Sequence, residues 1–220
     1  MTLGKFGTQR RSKRQVTFTI GHSTRPIQEF IGLLEENGIE RLIDIRTIPK
    51  SRHNPQFNTE SLARSLCKAK IDYVHLKELG GLRRARRDSP NTGWRNASFR
   101  GFADYMQTPE FESGIDEAIK LASAKISTLM CAEAVPWRCH RSLVADALVI
   151  RGIEVLEIVG DSPPKAHKLT SFARVRGTSI TYPPESGELF DAPENRPEES
   201  LDNEALGVKG RDSSKRRQHS

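Results

Sequence analysis

Three cysteines are all the chain contains. An odd number without framework spacing argues against a disulfide scaffold and for a reducing, cytoplasmic compartment. No apolar run approaches the roughly 20 residues that span a bilayer. The N-terminus is basic but has no apolar stretch behind it, which argues against a secretory signal. No Walker A loop is present, and no Gly-x-Gly-x-x-Gly follows the first strand pattern. Dinucleotide and P-loop readings therefore have no support. There is no internal repeat and no recognisable cofactor motif, and no cofactor is expected.

Apolar residues make up only 35% of the chain, and the shortage lies at the ends. Residues 1–15 carry Lys5, Arg10, Arg11, Lys13 and Arg14 with almost no apolar periodicity. Residues 183–220 are rich in Pro, Glu, Ser and Arg. Neither end can bury enough surface to offset its ordering entropy, so both are expected to be disordered. One domain is expected between them, over 16–182. Net charge is +7 over the whole chain. Five bases without an acid sit in the N-terminal arm, and nine acids face six bases in the C-terminal tail. The middle is left at +5. Much of it lies in Arg83, Arg84, Arg86, Arg87, Arg95 and Arg100. A local basic loop reads either as a footprint for phosphate-bearing partners or as a solvated surface.

Strand and helix patterns alternate along this middle. Strand patterns cover Val16–Ile20, Leu42–Ile45, Ile71–Leu76, Ile126–Met130 and Val155–Val159. Helical spacing links Ile27, Phe30, Ile31 and Leu34, with Gly38 as a stop. A second helix starts at Asn58 or Thr59, and a short one covers Phe99–Met106. Thr108 caps a longer helix with Pro109 at its first position. A last helix runs from about His140 to Arg151. The long stretch Lys77–Ser98 reads as a functional or mobile loop. The segment up to Tyr182 has room for a short helix and an edge strand. Together these predict a three-layer, Rossmann-like α/β fold. Its mainly parallel sheet of about five strands carries helices on both faces.

In a parallel sheet every strand C-terminus points the same way, and ligands bind beyond that edge. The residues that follow the strands are chemically dense. Gly21, His22, Ser23 and Arg25 follow the first, and Arg46, Ser51, Arg52 and His53 the second. His75, Lys77, Gly80 and Gly81 follow the third, with Arg83 just beyond. The fourth leads into Cys131-Ala-Glu-Ala-Val-Pro-Trp-Arg-Cys139-His140-Arg141. Bland readings stand beside these. Asp44 can be a structural carboxylate, Cys67 reads as core packing on its helix, and Trp94 and Trp137 are core aromatics or stacking platforms.

Three chemistries fit the cysteine segment. In the first, Cys139 is a nucleophile at a helix N-terminus, where the dipole and Arg138 and Arg141 lower a thiol pKa. His140 or His22 serves as base, with Glu133 and Cys131 assisting. Arg46, Ser51, Arg52, Arg141, Gly80, Gly81, Ser23 and Arg83 would hold an anionic substrate. The Cys-x5-Arg phosphatase pattern is absent, because six residues separate Cys131 from Arg138. In the second, Cys131, Cys139, His140 and His22 form a tetrahedral zinc set; no metal is the favoured expectation. In the third, the edge binds nucleotide or nucleic acid without chemistry. The basic loop 83–100 and the N-terminal arm would then contact phosphates. A Cys131–Cys139 thiol switch is a further alternative.

The motifs Thr19-Ile-Gly-His-Ser-Thr24, Asp44-Ile-Arg-Thr-Ile-Pro49, Ser51-Arg52, Leu79-Gly-Gly-Leu82, Met130-Cys-Ala-Glu133 and Cys139-His-Arg141 closely resemble the "domain of unknown function 488" family, over about residues 16–160. The resemblance implies a bacterial or archaeal soluble protein with an α/β fold and no settled activity. By that likeness Gly21, His22, Asp44, Arg46, Ser51, Arg52, Gly80, Gly81, Cys131, Glu133, Cys139, His140 and Arg141 are its signature residues here. The combined expectation is a cysteine-dependent hydrolase or transferase acting on a small anionic molecule or nucleotide, with no membrane partner.

Overall fold

The computed structural model describes residues 15–184; the expected disorder of 1–15 and 183–220 concerns residues almost wholly outside that range. Five parallel strands form the sheet: β1 (Val16–Gly21), β2 (Arg41–Asp44), β3 (Asp72–His75), β4 (Ser127–Cys131) and β5 (Glu154–Ile158). A two-residue sixth strand, β6 (Lys165–Ala166), pairs antiparallel with the edge of β5. The order is β3-β2-β4-β1-β5-β6. The mainly parallel α/β architecture is therefore as expected, with one strand more than five.

The central strand β4 is short and buried along its whole length because both faces are covered. Alternate residues face opposite layers. Leu42 and Met130 join one core, with Phe30, Leu33 and Leu34 of α1 (Ile27–Glu36) and Leu62 and Leu66 of α2 (Thr59–Lys68). Ile43 and Leu129 join the other. That second layer holds Phe102 of α3 (Ala97–Tyr105), Phe111 and Ile115 of α4 (Pro109–Ala124), and Leu143, Val144 and Leu148 of α5 (Arg141–Val149). Fully burying one such Leu or Phe contributes about 1.5–3 kcal/mol. The chain leaves β1 and β2 by helices of the first layer and leaves β3 and β4 by helices of the second. β4 lies between β1 and β2, so the cover changes face there. Such a switch point opens a crevice at the strand C-termini.

Local signals explain the helix ends. Thr108 Oγ1 accepts the Phe111 N–H at 3.3 Å, and Pro109 follows it. Glu110 and Glu112 in that first turn complement the dipole. Asn96 caps α3 by accepting the Ser98 N–H at 2.8 Å. After α1, Gly38 takes φ +64°, which favours glycine.

Three expectations need correction. Cys67 is exposed on α2 rather than packed in the core. The segment after β5 holds no helix among the described residues. It forms β6 and then a hairpin of β7 (Arg174–Arg176) and β8 (Ser179–Thr181). The long loop after β3 is pinned rather than free. The buried Asp104 carboxylate accepts the Arg86 N–H at 2.8 Å, the Ser89 hydroxyl at 2.5 Å and the Asn91 amide at 2.8 Å. Gly101 lets the loop lie directly on α3, since a Cβ there would sit 2.3 Å from the Arg83 carbonyl oxygen. No helix of the described residues is long and apolar enough to cross a membrane.

Candidate functional site

The C-terminal edge of the sheet holds two buried polar clusters. The first surrounds Asp44 at the end of β2. Its carboxylate accepts the Arg46 Nε at 2.9 Å, Nη2 at 2.5 Å and backbone N–H at 3.0 Å. The Tyr73 hydroxyl donates to it at 2.9 Å. Burial and the Asp44 charge push the Tyr73 pKa up. Arg46 Nη2 also donates to the Phe57 carbonyl at 2.8 Å, and Nη1 meets His22 Nε2 at 3.3 Å. His22 Nδ1 donates to the Ser23 carbonyl at 2.8 Å, and the ring stacks on Phe57. Burial lowers the His22 pKa and the Arg46 charge lowers it further. His22 is thus a neutral imidazole with both nitrogens occupied.

The second cluster lies at the end of β4. Gly21 and Cys131 are register partners in neighbouring strands. The pairing runs on past the sheet, because His22 N–H donates to the Cys131 carbonyl at 3.0 Å and Ser23 N–H to Ala132 at 2.8 Å. Only glycine fits at 21, where a Cβ would lie 1.7 Å from the Glu133 carbonyl oxygen. The chain then returns through a single 3-10 turn, Pro136–Arg138, to the N-terminus of α5. This brings the Cys131 and Cys139 sulfurs each to 3.7 Å from His140 Nδ1. The three ligand-type atoms lie within 4.8 Å of one another.

The tautomer of His140 follows from its other side. Nε2 lies 3.2 Å from the Ile45 carbonyl and 3.1 Å from that of Leu79. Carbonyl oxygens only accept, so Nε2 carries a hydrogen and the ring turns its Nδ1 edge to the sulfurs. Cys131 is pulled well below the usual thiol pKa, first by a hydrogen bond from Cys139, then by His140 and the Arg141 charge. Cys139 is pushed up by the same Cys131 bond and by burial. The lower thiol pKa therefore belongs to Cys131, whereas the sequence pattern favoured Cys139.

Arg141 lies beneath this cluster and is fully buried. Its Nη1 donates to the Glu133 carbonyl at 2.9 Å and its Nη2 to Ala134 at 3.2 Å. Its Nε has no partner among the described residues.

The cluster forms the floor of a cavity of about 390 Å3. Its wall includes Arg46, Thr47, Gly81, Glu133 and Arg138. Asn96, Ser98 and Phe99, at the N-terminus of α3, close another side. The three most exposed large apolar residues of the described chain stand at this mouth: Leu82, Trp137 and Ile48 are 77%, 69% and 64% exposed. Ile48 and Leu82 line the cavity itself, and Trp137 lines an adjoining hollow that shares Asn96, Phe99, Glu133 and Arg138. Leu82 also holds φ +52°, a left-handed conformation that L side chains rarely adopt.

Of the residues singled out in the sequence, Cys131, Cys139, His140, Glu133, Gly81 and Arg46 meet at this cavity. Arg141 and His22 support it from within. Ser51, Arg52, Gly80, Ser23 and Arg83 do not line it. Ser51 organises its own loop, accepting the Asn54 N–H on its hydroxyl. Arg52 is exposed. Gly80 packs on Thr47. Ser23 takes φ +50° beside His22. Arg83 donates to the Gly80 carbonyl at 3.1 Å and lies 3.5 Å over the Tyr105 ring. Trp94 is packed among Phe99, Phe172 and Tyr182. Ile48, Asn96 and Ser98 were not picked out as site residues, because an exposed isoleucine and a helix cap carry no chemical signature. Leu82 had a signal in the Gly80-Gly81-Leu82 motif, where a large apolar residue follows two glycines.

A sequence model of the family described as "Domain of unknown function DUF488" matches residues 26–148. That range takes in β2 to β4 and nearly all of α5, while Gly21 and His22 lie just before it. Neither the curated proteins nor the solved structures gave a match. With more than half of its length matched, and with Asp44, Arg46, Cys131 and Cys139-His-Arg141 inside the matched range, the chain belongs to the DUF488 family.

Proposed function

We propose that this cavity is the active site of an enzyme acting on a small anionic substrate, with the Cys131–Cys139–His140 cluster as its reacting centre. One observation carries the reading: two buried sulfurs and an oriented imidazole nitrogen converge on the floor of an open pocket. Buried cysteines used only for packing have no need of an imidazole held by two backbone carbonyls. The electrostatics favour an anion. The N-termini of α3 and α5 both face the cavity, and each presents the positive end of a helix dipole. Arg138 stands at the wall without an ion-pair partner among the described residues. Glu133 is the one acidic side chain lining it. The apolar rim of Ile48, Leu82 and Trp137 suits a flat or apolar portion next to the charge, as in a nucleotide. The reaction class is hydrolysis or group transfer.

A turnover screen of nucleotides and small phosphorylated compounds tests this. An active compound should lose its turnover in Cys131→Ser and His140→Gln and keep it in Cys67→Ser. If no compound binds or reacts, while DNA or RNA binds with an affinity that falls steeply with salt, the exposed arginines Arg84, Arg87 and Arg95 become the functional surface and the enzyme reading fails.

A further inference from the structure

We infer that Cys131, Cys139 and His140 form a binding site for a divalent metal ion of the zinc class, with a fourth coordination position open to the pocket. The inference rests on the reading of that pocket as the active site and names what the cluster holds.

The donor set is the first argument. Two thiolates and a neutral imidazole suit a borderline-soft cation such as zinc. For Zn–S near 2.3 Å and Zn–N near 2.05 Å, the sulfur-to-nitrogen edge of a tetrahedron is about 3.6 Å. Both sulfurs lie at 3.7 Å from Nδ1, close to that edge, and all three donor atoms lie within 4.8 Å of one another.

The surroundings give a second, independent argument. A metal-bound histidine almost always donates its other ring N–H to a carbonyl or carboxylate, which fixes the ring and its tautomer. His140 does this twice, toward Ile45 and Leu79. The Arg141 backbone N–H lies 3.5 Å from Cys139 Sγ, a bond that supports a thiolate ligand. Gly81 keeps the approach to Nδ1 open, because a Cβ at that position would stand 3.0 Å from Nδ1. A side chain there would crowd the nitrogen that has to bind.

The fourth position decides what kind of site this is. A closed structural site takes four protein ligands, and a catalytic one takes three and leaves a place for water or substrate. His22 was the natural fourth candidate, but its Nε2 faces Arg46 and its Nδ1 donates to Ser23. The remaining direction faces the cavity, where Glu133 and Arg138 stand. An ion held there would act as a Lewis acid on a bound oxygen, at the position where an anionic substrate enters.

The test uses the full chain, purified without chelator. About one zinc per chain is expected from elemental analysis. Exchange with Co2+ should give the intense visible bands of a tetrahedral site and a near-ultraviolet thiolate-to-cobalt band. His140→Gln should remove the stoichiometric metal, and Cys67→Ser should not. Gly81→Ala leaves all three ligands in place and should weaken the metal about 10–100-fold, as loss of a supporting group does. If His140→Gln folds poorly, thiol labelling of the wild type decides instead. Cys131 and Cys139 should be protected until a chelator is added, while Cys67 reacts throughout. A folded chain that takes up no zinc, shows no thiolate-to-cobalt band and labels equally with and without chelator overturns the site. If turnover persists in that metal-free protein, the pocket reading stands and the metal reading falls. If the cobalt spectrum forms but no nucleotide, phosphate or carboxylate perturbs it, the metal reading stands and the anionic-substrate reading falls.

Discussion

Two arginines are buried at the same edge of the sheet, about equally hidden and oppositely provided for. Arg46 is 6% exposed and lies on the Asp44 carboxylate. Arg141 is 0% exposed and has two carbonyl oxygens but no carboxylate among the described residues. The Arg46 charge is neutralised within the fold, so its guanidinium is a brace between β2, the Phe57 turn and His22. The Arg141 charge is not neutralised, and its field falls on the two sulfurs. A buried charge left without a counter-charge costs several kcal/mol. The contrast separates a cluster neutralised within the fold from one with an uncompensated charge on the same edge.

The largest expected effect comes from breaking the paired arginine. Asp44→Ala leaves Arg46 buried without its carboxylate and orphans the Tyr73 hydroxyl. Loss of one partner of a buried pair costs about 3–5 kcal/mol, to be read from urea unfolding. Arg141→Met removes two hydrogen bonds to the Cys131–Ala134 turn but leaves no charge behind. The loss should stay below about 2–3 kcal/mol, the worth of two hydrogen bonds of about 1–1.5 kcal/mol each, because the cost of burying the uncompensated charge goes with it. The order of the two losses is the test. If Arg141→Met cost more than Asp44→Ala, Arg141 would have to be as firmly paired as Arg46, and the distinction would fail.

The sequence made the strands, the helices and the chemical identity of the edge legible for identifiable reasons. Val16–Ile20, Leu42–Ile45 and Ile126–Met130 are short apolar runs, and α1, α4 and α5 carry period, caps and stops together. Cys131, Cys139 and His140 could be named because the residues following parallel strands must converge. The direction in which a side chain is used is not written in its identity. Arg46 and Arg141 read as anion holders, and both turn inward. Cys67 read as core because it was counted on the apolar face with Leu62, Ala63 and Leu66, but it follows Leu66 directly, and one residue on a helix is enough to change face. The segment from 160 to 182 has no period of either kind, so its course follows from partners elsewhere, among them Asp146. That aspartate sits alone in the apolar run Leu143–Leu148, and its isolation was the available signal.

Asp146 extends the comparison along α5. Arg141, at the start of the helix, lacks a counter-charge, whereas Asp146, one turn further on, is fully supplied. It accepts His167 Nε2 at 2.8 Å, the Thr170 hydroxyl at 2.7 Å and the Tyr182 hydroxyl at 2.9 Å. His167 Nδ1 reaches Glu157 at 2.7 Å. Burial alone would lower the His167 pKa, but the two carboxylates outweigh it and raise it to about 9. The proton is thus bound more tightly in the folded chain than in the unfolded one, where a histidine titrates near 6.5. The stabilisation is complete below about pH 6.5 and is lost as pH rises through about 9. Between pH 6 and 9.5 the wild type should lose about 1–3 kcal/mol more than His167→Gln does, measured as the difference in their urea unfolding free energies. An equal pH dependence in the two proteins would mean that His167 is neutral when folded. The Asp146 cluster would then carry an unbalanced charge of its own, and a satisfied network would no longer distinguish the far end of α5 from its start.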